Sequence, residues 1–120
     1  MILCRLQCIP LYSLLAALGR PTVHWLVLDI EGAELQVLRT LPWAELDIWV
    51  VSVETDLAGL VLPGSRQEIL QLLQNAGYTH RPHARLVNPS SISNTAKDDM
   101  FIRNDIATKL GIRTQGKIEL

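Results

Sequence analysis

The chain has 120 residues, of which 48% are hydrophobic and 19% are charged, and this composition excludes a disordered protein. That length is enough for one compact domain with its own hydrophobic core. The 11 Lys and Arg residues nearly balance the 12 Asp and Glu residues, so the charge gives no support to nucleic-acid binding.

The N-terminal region is apolar, but Gln7, Pro10 and Ser13 interrupt it, which argues against a signal peptide. No apolar run is long enough to span a bilayer. Cys4 and Cys8 are the only cysteines, and without further Cys or nearby His they are not a zinc pattern. We predict that both are small buried residues of a reducing compartment, so cysteine usage indicates a cytoplasmic protein and localisation is otherwise unknown.

The first half of the chain predicts a helix, a strand and a second helix. Leucines at helical spacing between residues 11 and 18 predict the first helix, with Gly19 as its C-terminal cap. Val23–Leu28 is continuously apolar, which is typical of a parallel strand covered on both faces. A helix then begins near Gly32 and ends at Pro42.

The second half continues the alternation of strands and helices. Ile48–Val53 predicts a second buried strand, and a capping box that begins at Ser65 predicts a third helix ending near Gly77. Tyr78–Val87 contains a third strand, and Met100–Arg103 is a short final strand. Because a long polar loop joins these two strands, we expect a hairpin and therefore an antiparallel last strand. The predicted fold class is α/β, with a mostly parallel sheet.

Acidic residues follow the first two predicted strands. Asp29 comes directly after the first strand, Glu31 lies in the next turn, and Glu54 follows the second strand. In an open α/β sheet, ligands bind just outside the carboxyl ends of the strands, where neighbouring strands lie about 4.8 Å apart. Three further carboxylates are expected near the same edge, those of Asp56, Asp98 and Asp99.

The segment Asp29–Leu35, followed by Val37 and Leu38, resembles the central motif of the FkbM-type methyltransferases, which use S-adenosylmethionine. Four other segments resemble further parts of that domain in the same order, namely Pro10–Leu15, Ser52–Glu54, Asn75–Tyr78 and Asp98–Arg103. The resemblance covers about residues 6–104. It implies a partial Rossmann-like, class I methyltransferase sheet, and methyl transfer in the parent domain from S-adenosylmethionine to a small-molecule or glycan-type hydroxyl.

Members of this family carry an N-terminal half that holds the cofactor with a glycine-rich turn and an acidic residue for the ribose. Neither feature occurs in this sequence. Residues 1–104 are therefore expected to be the C-terminal half of such a domain, and residues 105–120 a loosely packed tail. The chain is then a fragment, the product of a truncated gene or a degenerate relative of the family, and we expect it to bind the cofactor poorly alone. An exposed edge and face of the Val23–Leu28 strand would then favour self-association.

The resemblance also extends to Star-like animal members of the family, for which trafficking in the secretory pathway is the better-known role. The alternative function is thus a non-catalytic binding module, with membrane association of the full-length parent.

The acidic edge allows three uses. One carboxylate can act as a general base, two can hold a divalent cation, or all can bind helix ends and loop amides. Glu34 joins Glu31 at the positive end of the second helix, where a carboxylate is stabilising. We assign Asp29 as the acid–base or orienting residue, with Glu31 and Glu54 as supporting catalytic residues, and we assign no metal ligand from the sequence.

Overall fold

A computed structural model describes residues 7–81 and 98–112 of the chain. The elements are α1 (Leu11–Ala17), β1 (Val23–Leu28), α2 (Glu34–Thr40), a 3-10 turn (Trp43–Glu45), β2 (Ile48–Glu54), α3 (Arg66–Asn75), β3 (Tyr78–Arg81), β4 (Asp98–Arg103) and α4 (Asn104–Lys109). The predicted order of helices and strands is confirmed. Cys4 and the predicted strand residues beyond Arg81 lie outside the described residues.

The four strands form one mixed sheet in the order β1-β2-β4-β3. β1 and β2 are parallel, whereas β4 is antiparallel to both β2 and β3. The predicted α/β class and antiparallel last strand are confirmed. The predicted mostly parallel pairing is wrong, because β4 inserts between β2 and β3 and leaves one parallel pair out of three.

The main core joins α2 and α3 to the middle of the sheet. Val51 and Phe101 are register partners on β2 and β4, and both are fully buried. Leu38 of α2 and Leu73 of α3 complete the same cluster without solvent exposure. The helices and the central strands are therefore held together mainly by burial of apolar surface.

A second, smaller cluster lies under α4. Ile106 and Ala107 of this helix are buried with Ile102 of β4, and Trp49 and Val50 of β2 pack against them. The C-terminal region, expected to be loosely packed, thus begins with a helix that buries apolar side chains. Residues 113–120 lie outside the described part of the chain.

β1 is an edge strand with an uncovered face. It pairs only with β2 within the described sheet, and 59% of Trp25 and 56% of Val27 are exposed. The prediction that both faces of this strand are covered is wrong, while the exposed edge and face expected from a half sheet are present. Cys8 is also exposed rather than buried.

None of the helices in residues 7–81 and 98–112 has the length and apolar character that crossing a bilayer would need.

Candidate carboxylate site

A tight turn after β1 places the first two candidate residues. Asp29 follows the last residue of β1, and Glu31 and Gly32 adopt left-handed backbone conformations with φ of 59° and 100°. A Cβ atom at Gly32 would lie 3.0 Å from Cβ of Val61 and 3.2 Å from the carbonyl oxygen of Leu57. Glycine is required at this position both by its φ angle and by the closeness of the loop that follows β2.

Glu34 fixes the shape of this turn. It is the first residue of α2, and its side chain is almost completely buried. Its Oε1 atom accepts hydrogen bonds from the backbone amides of Ile30, at 2.8 Å, and Gly32, at 3.2 Å. The sequence pattern indicates for Glu34 only a favourable charge at the start of a helix. Its position two residues after the turn glycine was the available signal for this second role.

The structure brings Asp29, Glu31 and Glu54 together. Each of the three side chains offers a carboxylate oxygen, and these oxygens all lie within 4.8 Å of one another. Asp29 and Glu31 are exposed, whereas Glu54 is 8% exposed. The expected meeting of carboxylates at the carboxyl ends of β1 and β2 is therefore found for these three residues. We call this group the carboxylate trio; its chemical role stays a prediction.

Glu54 is the unusual member of the carboxylate trio. Its Oε2 atom is buried and has no hydrogen-bond partner. Burial raises the pKa of the Glu54 carboxyl, and a hydrogen bond with Asp29 and the negative charges of Asp29, Glu31 and Glu34 raise it further. The site therefore resists a third negative charge unless a proton or a cation neutralises it.

Asp99, expected at the same edge, faces the core instead. It is the register partner of Val53 and is fully buried. Arg66 donates two hydrogen bonds to its carboxylate, from Nε at 2.6 Å and Nη2 at 2.8 Å. Thr55 Oγ1 donates another at 2.8 Å, and Nε2 of His80 lies 2.7 Å from Oδ1. Asp99 thus belongs to a polar network that joins β4 to α3, β3 and the start of the loop after β2.

This network keeps Asp99 ionised. Burial opposes the charged form, but hydrogen bonds from Arg66, His80 and Thr55 outweigh it and lower the pKa of Asp99 to about 2. The other two expected members of the edge, Asp98 and Asp56, are exposed and lie outside the carboxylate trio. Three of the six carboxylates that were expected at this edge therefore lie together in the trio.

The family model described as "Methyltransferase FkbM domain" matches residues 3–79, which is more than half of the chain. The chain belongs to the FkbM methyltransferase family. The matched part of this FkbM domain includes all three residues of the carboxylate trio and ends within β3. The family suggests a methyltransferase-like function and, in general, S-adenosylmethionine as cofactor. Comparisons with curated proteins and with solved structures found no match.

Proposed function

We propose that the parent domain, a Rossmann-like class I methyltransferase, transfers a methyl group from S-adenosylmethionine to a hydroxyl oxygen of a small molecule or glycan. The position of the carboxylate trio carries this proposal. Asp29 and Glu54 stand at the carboxyl ends of parallel strands β1 and β2, which is where ligands bind in α/β sheets. The FkbM family supports the reaction class.

The described residues do not fit the cofactor. The glycine turn after β1 is closed, because Leu57 and Val61 fill the space beside Gly32 that an open cradle would leave for a ligand. The other strand of the parallel pair, β2, ends at Glu54 and is followed by Thr55, Asp56 and Leu57 rather than by a glycine-rich turn. We propose that the contacts to S-adenosylmethionine come from a part of the domain outside this sequence.

In the proposed reaction the described residues handle the proton of the acceptor. A hydroxyl oxygen that gains a methyl group must lose its proton, and Asp29 is the exposed carboxylate placed to accept it. Glu31 and Glu54 orient Asp29 and the hydroxyl. The raised pKa of the Glu54 carboxyl favours a form that keeps its proton and donates it in a hydrogen bond to Asp29.

We expect Asp29→Asn to reduce methyl transfer by about 100-fold or more, the usual contribution of a general base. The assay uses the endogenous protein at its natural length, which an intact mass fixes first, with labelled S-adenosylmethionine and a panel of hydroxyl acceptors. Asp98→Asn is the matched control, because it removes the same charge from an exposed residue outside the carboxylate trio. Full activity of Asp29→Asn would exclude the general-base role.

Titration with S-adenosylmethionine accompanies this assay. The 120-residue chain is expected to bind with a Kd in the millimolar range or weaker, which corresponds to a binding free energy no more favourable than about −4 kcal/mol. A micromolar Kd for this chain would contradict the proposal that the cofactor contacts lie elsewhere.

The uncovered face of β1 favours a second candidate, a non-catalytic binding module of the secretory pathway. Trp25 and Val27 present an apolar surface beside an unpaired strand edge, and such edges recruit other chains. In this case Asp29→Asn leaves the biological function intact, which separates the two candidates.

We expect the chain to self-associate through this edge, and Val27→Lys to convert the assembly into a monomer. A lysine on an edge strand places a charge where a second strand would pair, so it opposes association without disturbing the core. Light scattering after gel filtration measures the change, with exposed Leu60→Lys as the control for added charge. A wild-type chain that is already a monodisperse monomer would contradict this expectation.

A further inference from the structure

The geometry of the carboxylate trio fits a single hard cation. Ca²⁺ binds oxygen ligands at about 2.3–2.6 Å, so two ligands on opposite sides of the ion lie about 4.6–5.2 Å apart. The three oxygens of Asp29, Glu31 and Glu54 all lie within 4.8 Å of one another. These separations are compatible with one ion of this size in contact with all three carboxylates. The ligand set contains oxygen alone, which selects Ca²⁺, Mn²⁺ or Mg²⁺ over softer metals.

A second observation, on Glu54, also indicates a missing positive charge. The side chain is more than nine-tenths buried, it is aimed into the trio, and its Oε2 atom has no hydrogen-bond partner. A buried polar atom without a hydrogen-bond partner costs desolvation free energy, and the cost is larger when its group is charged. The ion pairs found within residues 7–81 and 98–112 include none of the three trio residues.

Two other buried carboxylates, unlike Glu54, have hydrogen-bond donors for their oxygen atoms. Glu34 is satisfied by two backbone amides, and Asp99 by Arg66, His80 and Thr55. Among the residues that the structure describes, the other buried acidic side chains therefore have hydrogen-bond donors, whereas the Oε2 atom of Glu54 has none. The turn that holds Glu31 in a left-handed conformation brings another acidic side chain to this place instead of a donor.

We propose that Asp29, Glu31 and Glu54 bind one divalent cation, of the Ca²⁺ or Mn²⁺ type. The remaining coordination positions on the exposed side of the trio are open to water or to a hydroxyl group of a ligand. This site uses the same residues as the proposed function but does not rest on it, because cation binding is measured without a methyl donor or acceptor. A protein that binds no cation would not contradict the general-base role proposed for Asp29.

The test is titration of the purified protein with MnCl₂, followed by the electron paramagnetic resonance signal of free Mn²⁺. We expect one site with a Kd on the order of 0.1–1 mM, as for weak oxygen-ligand sites, and competition by CaCl₂. Asp29→Asn and Glu54→Gln are each expected to weaken binding by at least about tenfold. Asp98→Asn keeps the site and controls for the loss of one negative charge nearby.

Thermal unfolding separates a cation site from a purely structural role. Without metal, Glu54→Gln is expected to unfold at the same temperature as the wild type or higher, because it removes a buried carboxyl group that lies against two other carboxyl groups. With MnCl₂, only proteins with an intact trio gain stability. Absence of Mn²⁺ binding, or equal binding by the trio variants and Asp98→Asn, would overturn the proposal. If Glu54→Gln does not fold, Glu31→Gln replaces it in the same Mn²⁺ titration and unfolding experiments, because Glu31 is exposed.

Discussion

Asp99→Ala is expected to lower the free energy of unfolding by about 3 kcal/mol, the lower end of the range for breaking a buried ion pair. Asp99 is fully buried and accepts hydrogen bonds from Arg66 of α3, His80 of β3 and Thr55, which directly follows β2. Its removal takes one hydrogen-bond acceptor away from the Thr55 hydroxyl and from the His80 ring, which costs free energy at a buried site. Arg66 is half exposed and can turn to water, which keeps the loss at this lower end.

The measurement is urea-induced unfolding at neutral pH. Arg66→Met is a matched comparison, because it removes the exposed partner and keeps the buried carboxylate with its other two partners. We expect it to cost less than Asp99→Ala if hydrogen bonding by Thr55 and His80 contributes as the distances indicate. A loss below about 1 kcal/mol for Asp99→Ala, as for surface ion pairs, would contradict this account of the network.

The contribution of Asp99 to the free energy of unfolding also depends on pH, because its carboxylate is charged. Asp99→Asn removes this charge and so measures the pH-dependent part. The folded protein lowers the pKa of Asp99 from 3.8 to about 2. A lowered pKa stabilises the folded state above pH 4, by about 2 kcal/mol here, and this stabilisation is lost as the pH falls toward 2. The stability difference between wild type and Asp99→Asn should therefore shrink between pH 5 and pH 2. A difference that is constant over this range would exclude a charge effect.

Glu34→Ala is expected to destabilise the protein by about 2–3 kcal/mol, and to abolish whatever activity or binding the carboxylate trio has. The carboxylate of Glu34 accepts from the amides of Ile30 and Gly32, and hydrogen bonds to charged groups contribute about 1.5–3 kcal/mol. Without it, two backbone donors in the turn after β1 lose their partner. The turn also loses the contacts that hold Asp29 and Glu31 beside Glu54.

Glu34→Gln distinguishes positioning from simple support of the fold. A glutamine keeps an oxygen that can accept both amide hydrogen bonds, so we expect it to recover most of the stability and the Mn²⁺ affinity that Glu34→Ala loses. Urea unfolding and the Mn²⁺ titration measure the two quantities on the same samples. Recovery of stability without recovery of affinity would show that the shape of the turn does not depend on these hydrogen bonds.

The meeting of the carboxylate trio could be predicted because it depends on chain direction alone. The residues after two neighbouring parallel strands must reach the same edge of a sheet, whatever the details of packing. Val23–Leu28 and Ile48–Glu54 were recognisable as strands, so the nearness of Asp29 and Glu54 followed. Glu31 joined them because the turn after β1 is short.

The faces of the sheet to which the side chains of Asp98 and Asp99 point could not be predicted from the same rule. Successive residues of a strand point to opposite faces, so a shift of one residue in register exchanges their roles. The structure pairs Asp98 with Glu54 and Asp99 with Val53, which turns Asp99 toward the core. In the structure buried Asp99 and Phe101 alternate with exposed Asp98 and Met100, and the partner of Asp99, Arg66, is 33 residues away in the sequence.

The exposure of β1 depends on which other elements pack against the strand. This information is not present in the sequence of the strand itself. A continuous apolar run predicts that both faces are covered, and Leu28 at one end is indeed buried. Trp25 and Val27 have the same apolar character, but no described element lies over them.

The position of β4 determines the order in which the sheet can be completed during synthesis. β4 is the last of the four described strands to leave the ribosome, yet it lies between β2 and β3 and hydrogen-bonds to both. Until residues 98–103 emerge, β2 can pair only with β1, and β3 has no neighbour in this sheet. A nascent chain that pauses in the segment between β3 and β4 therefore displays one unpaired edge of β2, a state that chaperones protect from aggregation.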